Sequence, residues 1–276
     1  MKINDLIYSV FIYFVLFISS FFVKSEKTGV FKIQFWDVGQ GDSIYINTPN
    51  GNKIIIDGGD NFEADFKLAK LIPFFSCKLG AVILTHPHYD HIRGINRIMS
   101  RCKIATVMFN DIDFTSRDFS AFKDLSKKSI VKNAYKDDKF VIDEVTFKIL
   151  WPSKEFLQNK ITDINETSVV IFLDYGDFEA VLTGDAGEED LAKIDLSSVK
   201  PLIDGDLDVI KIPHHGSKFG LNKAFYEELK PKNCVISVGK DNKFGHPSKE
   251  VVEYLNSIKC NVLRTDEMGD IKMSVK

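Results

Sequence analysis

The chain has 276 residues, enough for one or two domains with a sizeable core that needs no metal or disulfide staples. Hydrophobic residues at 44% and charged residues at 27% exclude a disordered chain. A formal charge of −3, from 36 basic and 39 acidic side chains, excludes a strongly basic nucleic-acid coat protein but not an enzyme that grips phosphate locally.

Residues 6–23 are uncharged, with Ser9, Ser19 and Ser20 as polar members, Lys2 ahead and Lys24, Glu26 and Lys27 behind. As a helix the run reaches ~27 Å, near the ~30 Å thickness of bilayer hydrocarbon. Signal peptides usually have a shorter apolar region and a small-x-small cleavage site, to which Val23-x-Ser25 is the best approximation. Residues 1–25 are therefore expected to be either a cleaved signal peptide or an N-terminal membrane anchor. Residues 26–276 are expected to be one domain outside the cytoplasm: periplasmic, secreted or tethered to the outer side of a membrane. Cysteines 77, 102, 234 and 260 form no C-x-x-C pair, so neither a zinc ribbon nor a disulfide framework is predicted. An exported chain would let them oxidise, but their spacing names no partners.

Strand-like runs rich in Ile, Val and Phe follow at 30–36, 43–47, 53–57, 81–84, 104–109, 145–150, 168–174, 178–183, 208–212, 233–238, 261–264 and 270–274. Thr48-Pro49-Asn50-Gly51 reads as a hairpin turn. Helical patterns occupy 63–72, 92–99, 118–128, 187–194, 222–229 and 248–257. The run 81–84 is apolar at every position, so both its faces are expected to be buried. These elements predict two packed sheets flanked by helices, an α+β arrangement. The lysine-bearing stretch 111–140 reads as an inserted surface element.

All six histidines fall in three groups: 86/88/91, 214/215 and 246. Thr85-His86-Pro87-His88-Tyr89-Asp90-His91 ends the apolar run 81–84 in H-x-H-x-D-H. In extended chain, residues two apart point the same way, so His86 and His88 converge, and a following helix places Asp90 and His91 further along. Four nitrogen or carboxylate ligands within six residues suit two adjacent divalent ions, with zinc, manganese and iron matching the donor types. A histidine-rich surface loop explains such a cluster poorly. Leu182-Thr183-Gly184-Asp185 ends a second strand, where Asp185 alone reads as an ordinary helix N-cap. Ile212-Pro213-His214-His215-Gly216-Ser217 ends a third, and Gly245-His246-Pro247 introduces a helix.

These residues resemble the metallo-β-lactamase superfamily, and more narrowly the hydrolase domain of ComEC-type DNA-uptake proteins. The resemblance runs from about 31 to 274. Its phrases are Asp37-Val38-Gly39-Gln40-Gly41-Asp42-Ser43, Ile56-Asp57-Gly58-Gly59, the motif at 85–91, Thr183-Gly184-Asp185, Pro213-His214-His215-Gly216-Ser217, Asn242 with Gly245-His246-Pro247, and Arg264-Thr265-Asp266. It implies an αββα sandwich of two mixed sheets with the metal site at one rim. By resemblance His86 and His88 serve one metal, Asp90 and His91 the other, and Asp185 bridges them. One of His214 and His215 completes the second site, with His214 preferred because it comes directly off the strand. The family often supplies another histidine from mid-chain. Here Asn165-Glu166-Thr167-Ser168 occupies that place, which leaves the first site three protein ligands. Asp57 is expected to brace the metal loops, Asp37 and Asp42 to do the same or to cap turns, and His246 and Ser217 to meet an anionic substrate or the leaving group. Asp266 is assigned a structural or supporting role.

Two bridged cations ~3.5–4 Å apart lower the pKa of bound water from ~15.7 toward ~7 and stabilise growing transition-state charge, which argues for hydrolysis without a covalent intermediate. Charge logic alone does not choose among phosphodiester, ester, thioester and β-lactam. The subfamily resemblance implies a phosphodiesterase or nuclease acting on DNA or RNA, with Asp90, Asp185 and His246 as catalytic residues. A small ester or a choline phosphodiester is the alternative substrate, and a non-catalytic membrane-tethered partner in DNA uptake or envelope assembly is the alternative class. No protein partner is inferable.

Overall fold

A computed structural model describes residues 29–276, and the expected leader at 1–25 lies outside the described residues. Fourteen strands form two seven-stranded sheets among the described residues. The first sheet runs in the order β14-β1-β2-β3-β4-β5-β6, with β1 Phe31–Phe35, β2 Ile44–Asn47, β3 Lys53–Ile56, β4 Lys78–Ile83, β5 Lys103–Met108, β6 Ile130–Lys132 and β14 Ile271–Val275. The second runs β13-β12-β11-β10-β9-β8-β7, with β7 Lys139–Ile142, β8 Val145–Trp151, β9 Val170–Tyr175, β10 Phe178–Leu182, β11 Val209–Lys211, β12 Asn233–Ile236 and β13 Asn261–Arg264. Each sheet is half antiparallel meander and half parallel crossover. Pairing is antiparallel from β14 through β3 and parallel from β3 to β6; in the second sheet it is antiparallel from β7 to β10 and parallel from β10 to β13.

Alternation along the strands builds the layers. Phe31, Ile33 and Phe35 of β1 meet Phe147 and Ile149 of β8 and Ile171 and Leu173 of β9 in the core between the sheets. The opposite faces carry Ile55, Val82 and Val107 in the first sheet and Phe172, Val181 and Ile210 in the second. Helices α1 Glu63–Leu71, α2 Tyr89–Arg101 and α3 Arg117–Ser126 cover the first face. Helices α4 Glu188–Ala192, α5 Lys223–Leu229 and α6 Lys249–Ser257 cover the second, and a short α7, Thr265–Met268, follows β13. The result is the expected αββα sandwich. Strand β4 is buried on both faces from Ala81 onward, as its uninterrupted apolar run requires.

The stretch 111–140 is built into the sandwich rather than inserted on its surface. It supplies α3, whose Phe119 and Phe122 are buried in the outer core, and two strands, β6 and β7, that end both sheets. Its lysines hid this, because short edge strands carry exposed charge: all three residues of β6 are exposed. All four cysteines are paired, Cys77 with Cys102 and Cys234 with Cys260. Among the described residues no helix is long and apolar enough to cross a membrane.

Candidate metal centre

The site lies where β4, β10 and β11 end, on the rim shared by the two sheets. Strand β4 gives way to Thr85 and His86, and His88 caps α2, so Asp90 and His91 fall in that helix's first turn. Two glycines let the supporting loops close on α2. A Cβ on Gly41, whose φ is +120°, would stand 2.1 Å from the Asp90 carbonyl oxygen, and one on Gly94 would stand 1.8 Å from that of Gly58. The Asp42 amide donates to the same Asp90 carbonyl at 3.2 Å. After β11, His214 and His215 both adopt left-handed backbone, φ 47° and 54°, followed by Gly216 at 81°. Consecutive left-handed non-glycine residues are costly and occur where surroundings enforce them, commonly at functional sites.

His86 Nε2 and His88 Nδ1 lie 3.1 Å apart. Asp185 Oδ2 lies 3.3 Å from His91 Nε2 and 3.4 Å from His215 Nε2, and His215 Nε2 is also 3.4 Å from Asp90 Oδ2. His214 Nε2 is farther from Asp185, at 4.0 Å. So the turn brings His215, rather than the preferred His214, against Asp90, His91 and Asp185. Among the described residues, close groups of potential ligands are His86/His91/Asp185, Asp90/His91/His215, Asp42/Asp57/His91 and Asp42/Asp185/His215.

A divalent ion fits this arrangement. Tetrahedral ligands with bonds of ~2.0–2.1 Å are spaced by about 3.3 Å, which the nitrogen and carboxylate separations match. His91 Nε2 and His215 Nε2 are buried without hydrogen-bond partners, although buried polar atoms are ordinarily satisfied. Their other ring nitrogens are fixed: His91 Nδ1 on Asp57 Oδ2 at 2.8 Å, and His215 Nδ1 on the Ser237 carbonyl at 2.9 Å. Anchoring one imidazole nitrogen so that the other points at the ion is the usual support of a metal ligand.

Asp57 also accepts from the Thr85 amide at 2.9 Å and the Thr85 hydroxyl at 2.6 Å, tying β3 to the end of β4. Asp42 pairs with Lys211, and its Oδ1 is 3.4 Å from His215 Nδ1. Lys211 was not singled out by the sequence; it is fully buried, donates to the Gly184 carbonyl at 2.8 Å and lies 3.7 Å from Asp185 Oδ1. Ser168 stands where another histidine was sought. Its hydroxyl is 3.3 Å from His86 Nδ1 and accepts from the Asp185 amide at 3.1 Å.

Other candidates stand apart from the cluster. Asp37 accepts from the Gly39 amide, a turn cap, and Ser217 accepts from the Phe219 amide. Asn165 bonds to Asp163, and its Oδ1 is buried without a partner. The ring of His246 lies 5.7 Å from that of His214, with Nδ1 buried and unpartnered. Asp266 is paired with Arg264.

The electrostatics split the histidines. Burial holds His86 well below its ordinary 6.5, reinforced by charge on His91, and burial also lowers His88 and His246. Burial opposes charge on His91 and His215 too, but carboxylates outweigh it and raise both well above the usual value: Asp185 and Asp57 act on His91, and Asp185, Asp42 and Asp90 on His215. Burial likewise opposes ionisation of Asp185, yet His215 and His91 hold it well below the ordinary carboxylate range. Without ions the carboxylates and the His91 and His215 rings thus favour each other's charged forms. A divalent cation would take the place of the protons.

The family model of the metallo-beta-lactamase superfamily matches residues 36–240. Over 265 residues the chain is 29% identical to ComE operon protein 3 of Bacillus subtilis (strain 168), covering 89% of this chain and 33% of that protein. It is 25% identical over 256 residues to Recombination protein 2 of Haemophilus influenzae, covering 91% and 30%. The chain therefore spans about a third of the length of these relatives. Among solved structures, the metallo-beta-lactamase fold protein YhfI from Bacillus subtilis superposes with a TM-score of 0.59 at 14% identity, covering 89% of this chain and all of that one. A diphosphatase of the PhnP family gives 0.53 at 16% identity, covering 89% and 98%. At such identities the structures speak to the fold. The family match, the H-x-H-x-D-H strand end and the convergence of Asp185 and His215 agree: this chain is a member of the metallo-beta-lactamase superfamily, whose fold is that of metal-dependent hydrolases.

Proposed function

We propose that the protein is a two-metal hydrolase of phosphodiesters. The observation that carries this reading is the sharing of Asp185. Asp185 forms one close group of potential ligands with His86 and His91, and one of its oxygens faces His91 and His215 at 3.3 and 3.4 Å, while the ring nitrogens of His86 and His88 stand 3.1 Å apart. His86 and His88 would hold one divalent ion, Asp90, His91 and His215 the other, and Asp185 both. Zinc suits this donor set best, with manganese and iron also compatible. Ions held there acidify water and stabilise negative charge on a phosphoryl group.

The protein's own groups do the rest. Asp57 and the Ser237 carbonyl fix the rings of His91 and His215, and Ser168 links His86 to the Asp185 backbone. Burial disfavours charge on His246, whose ring lies 5.7 Å from that of His214 and would meet the departing oxygen. Both disulfides support a setting outside the cytoplasm, where such bonds persist, and so support the reading of 1–25 as leader or anchor.

The test is to count ions on the purified protein by elemental analysis and to measure hydrolysis of bis(p-nitrophenyl) phosphate. We expect about two ions per chain, and turnover that His88→Ala and Asp185→Asn reduce to background with the circular dichroism retained. A fully metal-loaded protein inert toward diesters and esters alike would overturn the reading in favour of a binding role.

A further inference from the structure

The metal centre occupies one rim of the sandwich, and the described chain begins at the other. Strands β1, β3, β4 and β5 all run toward the metal centre, so their first residues lie together on the opposite rim. There the Gly29 amide donates to the Pro49 carbonyl at 3.2 Å, in the turn between β2 and β3. Five residues, 24–28, separate Gly29 from the apolar run 6–23. Such a length reaches at most ~18 Å. The start of β4 is three strand spacings from β1 along this rim, or ~14 Å.

Below the first sheet this rim carries exposed positive charge and exposed apolar side chains together. Lys32 lies near the start of β1, Lys70 in the last turn of α1, and Lys78 and Lys103 are the first residues of β4 and β5. All four are exposed, and among the described residues none of their ammonium groups has an ion-pair or hydrogen-bond partner. Lys78 and Lys103 stand directly opposite each other across parallel β4 and β5, an arrangement that like charges disfavour. The Cys77–Cys102 bridge immediately precedes both and holds them there. Beside them, between α1 and β4, Leu71 is 48% exposed and Phe75 85%. Below the second sheet the rim has the opposite character, with Asp177, Asp204 and Asp206 exposed in the turns before β10 and β11.

We propose that the rim below the first sheet docks on an anionic phospholipid bilayer, with the lysines among the headgroup phosphates and Leu71 and Phe75 at the upper acyl chains. The proposal builds on the reading of residues 1–25 as an anchor, which brings this rim, and not the metal-bearing one, within a few residues of lipid. Apolar side chains flanked by lysines are the combination that binds a membrane interface. Each lysine close to an anionic surface strengthens attachment about fivefold. Headgroup phosphates also relieve the repulsion between Lys78 and Lys103, while the acidic half of the rim is held off. Strand β4 alone, six residues, is ~20 Å long, so the metal centre opens away from the bilayer and its diester arrives from the aqueous side.

The test places a reporter on each rim of the full chain: Phe75→Trp below the first sheet, and Phe219→Trp beside the His214–His215 turn, at a ring 70% exposed. The native Trp36 and Trp151 are buried and give a constant background. Each variant is reconstituted with vesicles of brominated phosphatidylcholine, alone or mixed with phosphatidylglycerol. Bromine is expected to quench Phe75→Trp in the anionic vesicles, and less in neutral vesicles or at high salt, while Phe219→Trp stays unquenched throughout. Adding Lys78→Gln/Lys103→Gln to Phe75→Trp should lower the docking constant on the order of thirtyfold. Absence of quenching of Phe75→Trp in anionic vesicles, equal quenching of Phe219→Trp, or quenching indifferent to lipid charge and to the double substitution would each overturn the proposal. The anchor reading is decided separately: removal of the protein from the vesicles by an alkaline carbonate wash overturns it, whereas the dependence on lipid charge, measured before the wash, decides the docking face.

Discussion

Replacing Lys211 by methionine isolates the buried ion pair beneath the metal centre. The lysine is fully buried, pairs with the buried Asp42, bonds to the Gly184 carbonyl at 2.8 Å and approaches Asp185 Oδ1 at 3.7 Å. Methionine fills similar space without charge, leaving the Asp42 carboxylate the His215 ring at 3.4 Å and the His91 ring at 4.0 Å. Removing one member of a buried pair costs ~3–5 kcal/mol, because the other is left charged in a poor dielectric. With a urea slope of ~3 kcal/mol/M, the unfolding midpoint of the metal-free, disulfide-intact protein should fall by roughly 1–1.7 M. Trp36 and Trp151, 1% and 4% exposed, report unfolding by fluorescence. The double variant Asp42→Asn/Lys211→Met removes both charges and should recover most of the loss, since uncharged replacement of a whole buried pair is often neutral. A single variant within ~1 kcal/mol of the unaltered protein, or a double variant no better than the single, would refute the reasoning.

Asp57→Asn replaces a carboxylate that accepts three hydrogen bonds, two from Thr85 and one from His91, and should weaken metal binding by ~10–100-fold in chelator competition. In the metal-free protein His91 and His215 titrate above their ordinary 6.5. The stability they contribute is complete below that value and is lost as pH rises through the raised folded-state values, so the metal-free Tm should fall as pH rises above 6.5. The same upward shifts mean that metal loading near neutral pH should release protons, measurable by calorimetry in buffers of different ionisation enthalpy. The cysteines of the two disulfides are 25 and 26 residues apart, so reducing either should cost about 3.5 kcal/mol, read as a lower urea midpoint in dithiothreitol.

The layers were legible because burial imposes periodicity. Runs such as Ile54-Ile55-Ile56 and Ala81-Val82-Ile83 have no reading other than strands covered on both faces, and the structure places them centrally in the first sheet. The H-x-H-x-D-H cluster was equally plain, since four potential ligands follow a strand that can scarcely tolerate charge. The edge strands β6 and β7 escaped notice because they are short, three and four residues, and every residue of β6 is exposed. Their lysines face water, and their place is settled by backbone pairing with β5 and β8, with Phe140 and Ile142 of β7 packing on the core.

The features that escaped the sequence share one cause, which is that each depends on register between segments rather than on pattern within one. Ile210-Lys211-Ile212 looks like a strand with one wet face. Yet β11 is an interior strand, and Lys211 lies on the same side as Val209, which packs between the sheets. Its ammonium therefore meets charge only because Asp42 arrives from the loop between β1 and β2 of the other sheet. The preference for His214 assumed extended chain beyond the strand, whereas two left-handed residues rotate His215 inward instead. The cysteines follow the same rule. Lys78 and Lys103 are partners across parallel β4 and β5, so Cys77 and Cys102, one position earlier on each, must lie side by side. Cys234 and Cys260 close the corresponding strand–helix–strand unit of the second sheet, β12–α6–β13. A separation of 25 or 26 residues is therefore the length of one crossover, and it becomes a pairing rule only once the strands are known to be parallel neighbours.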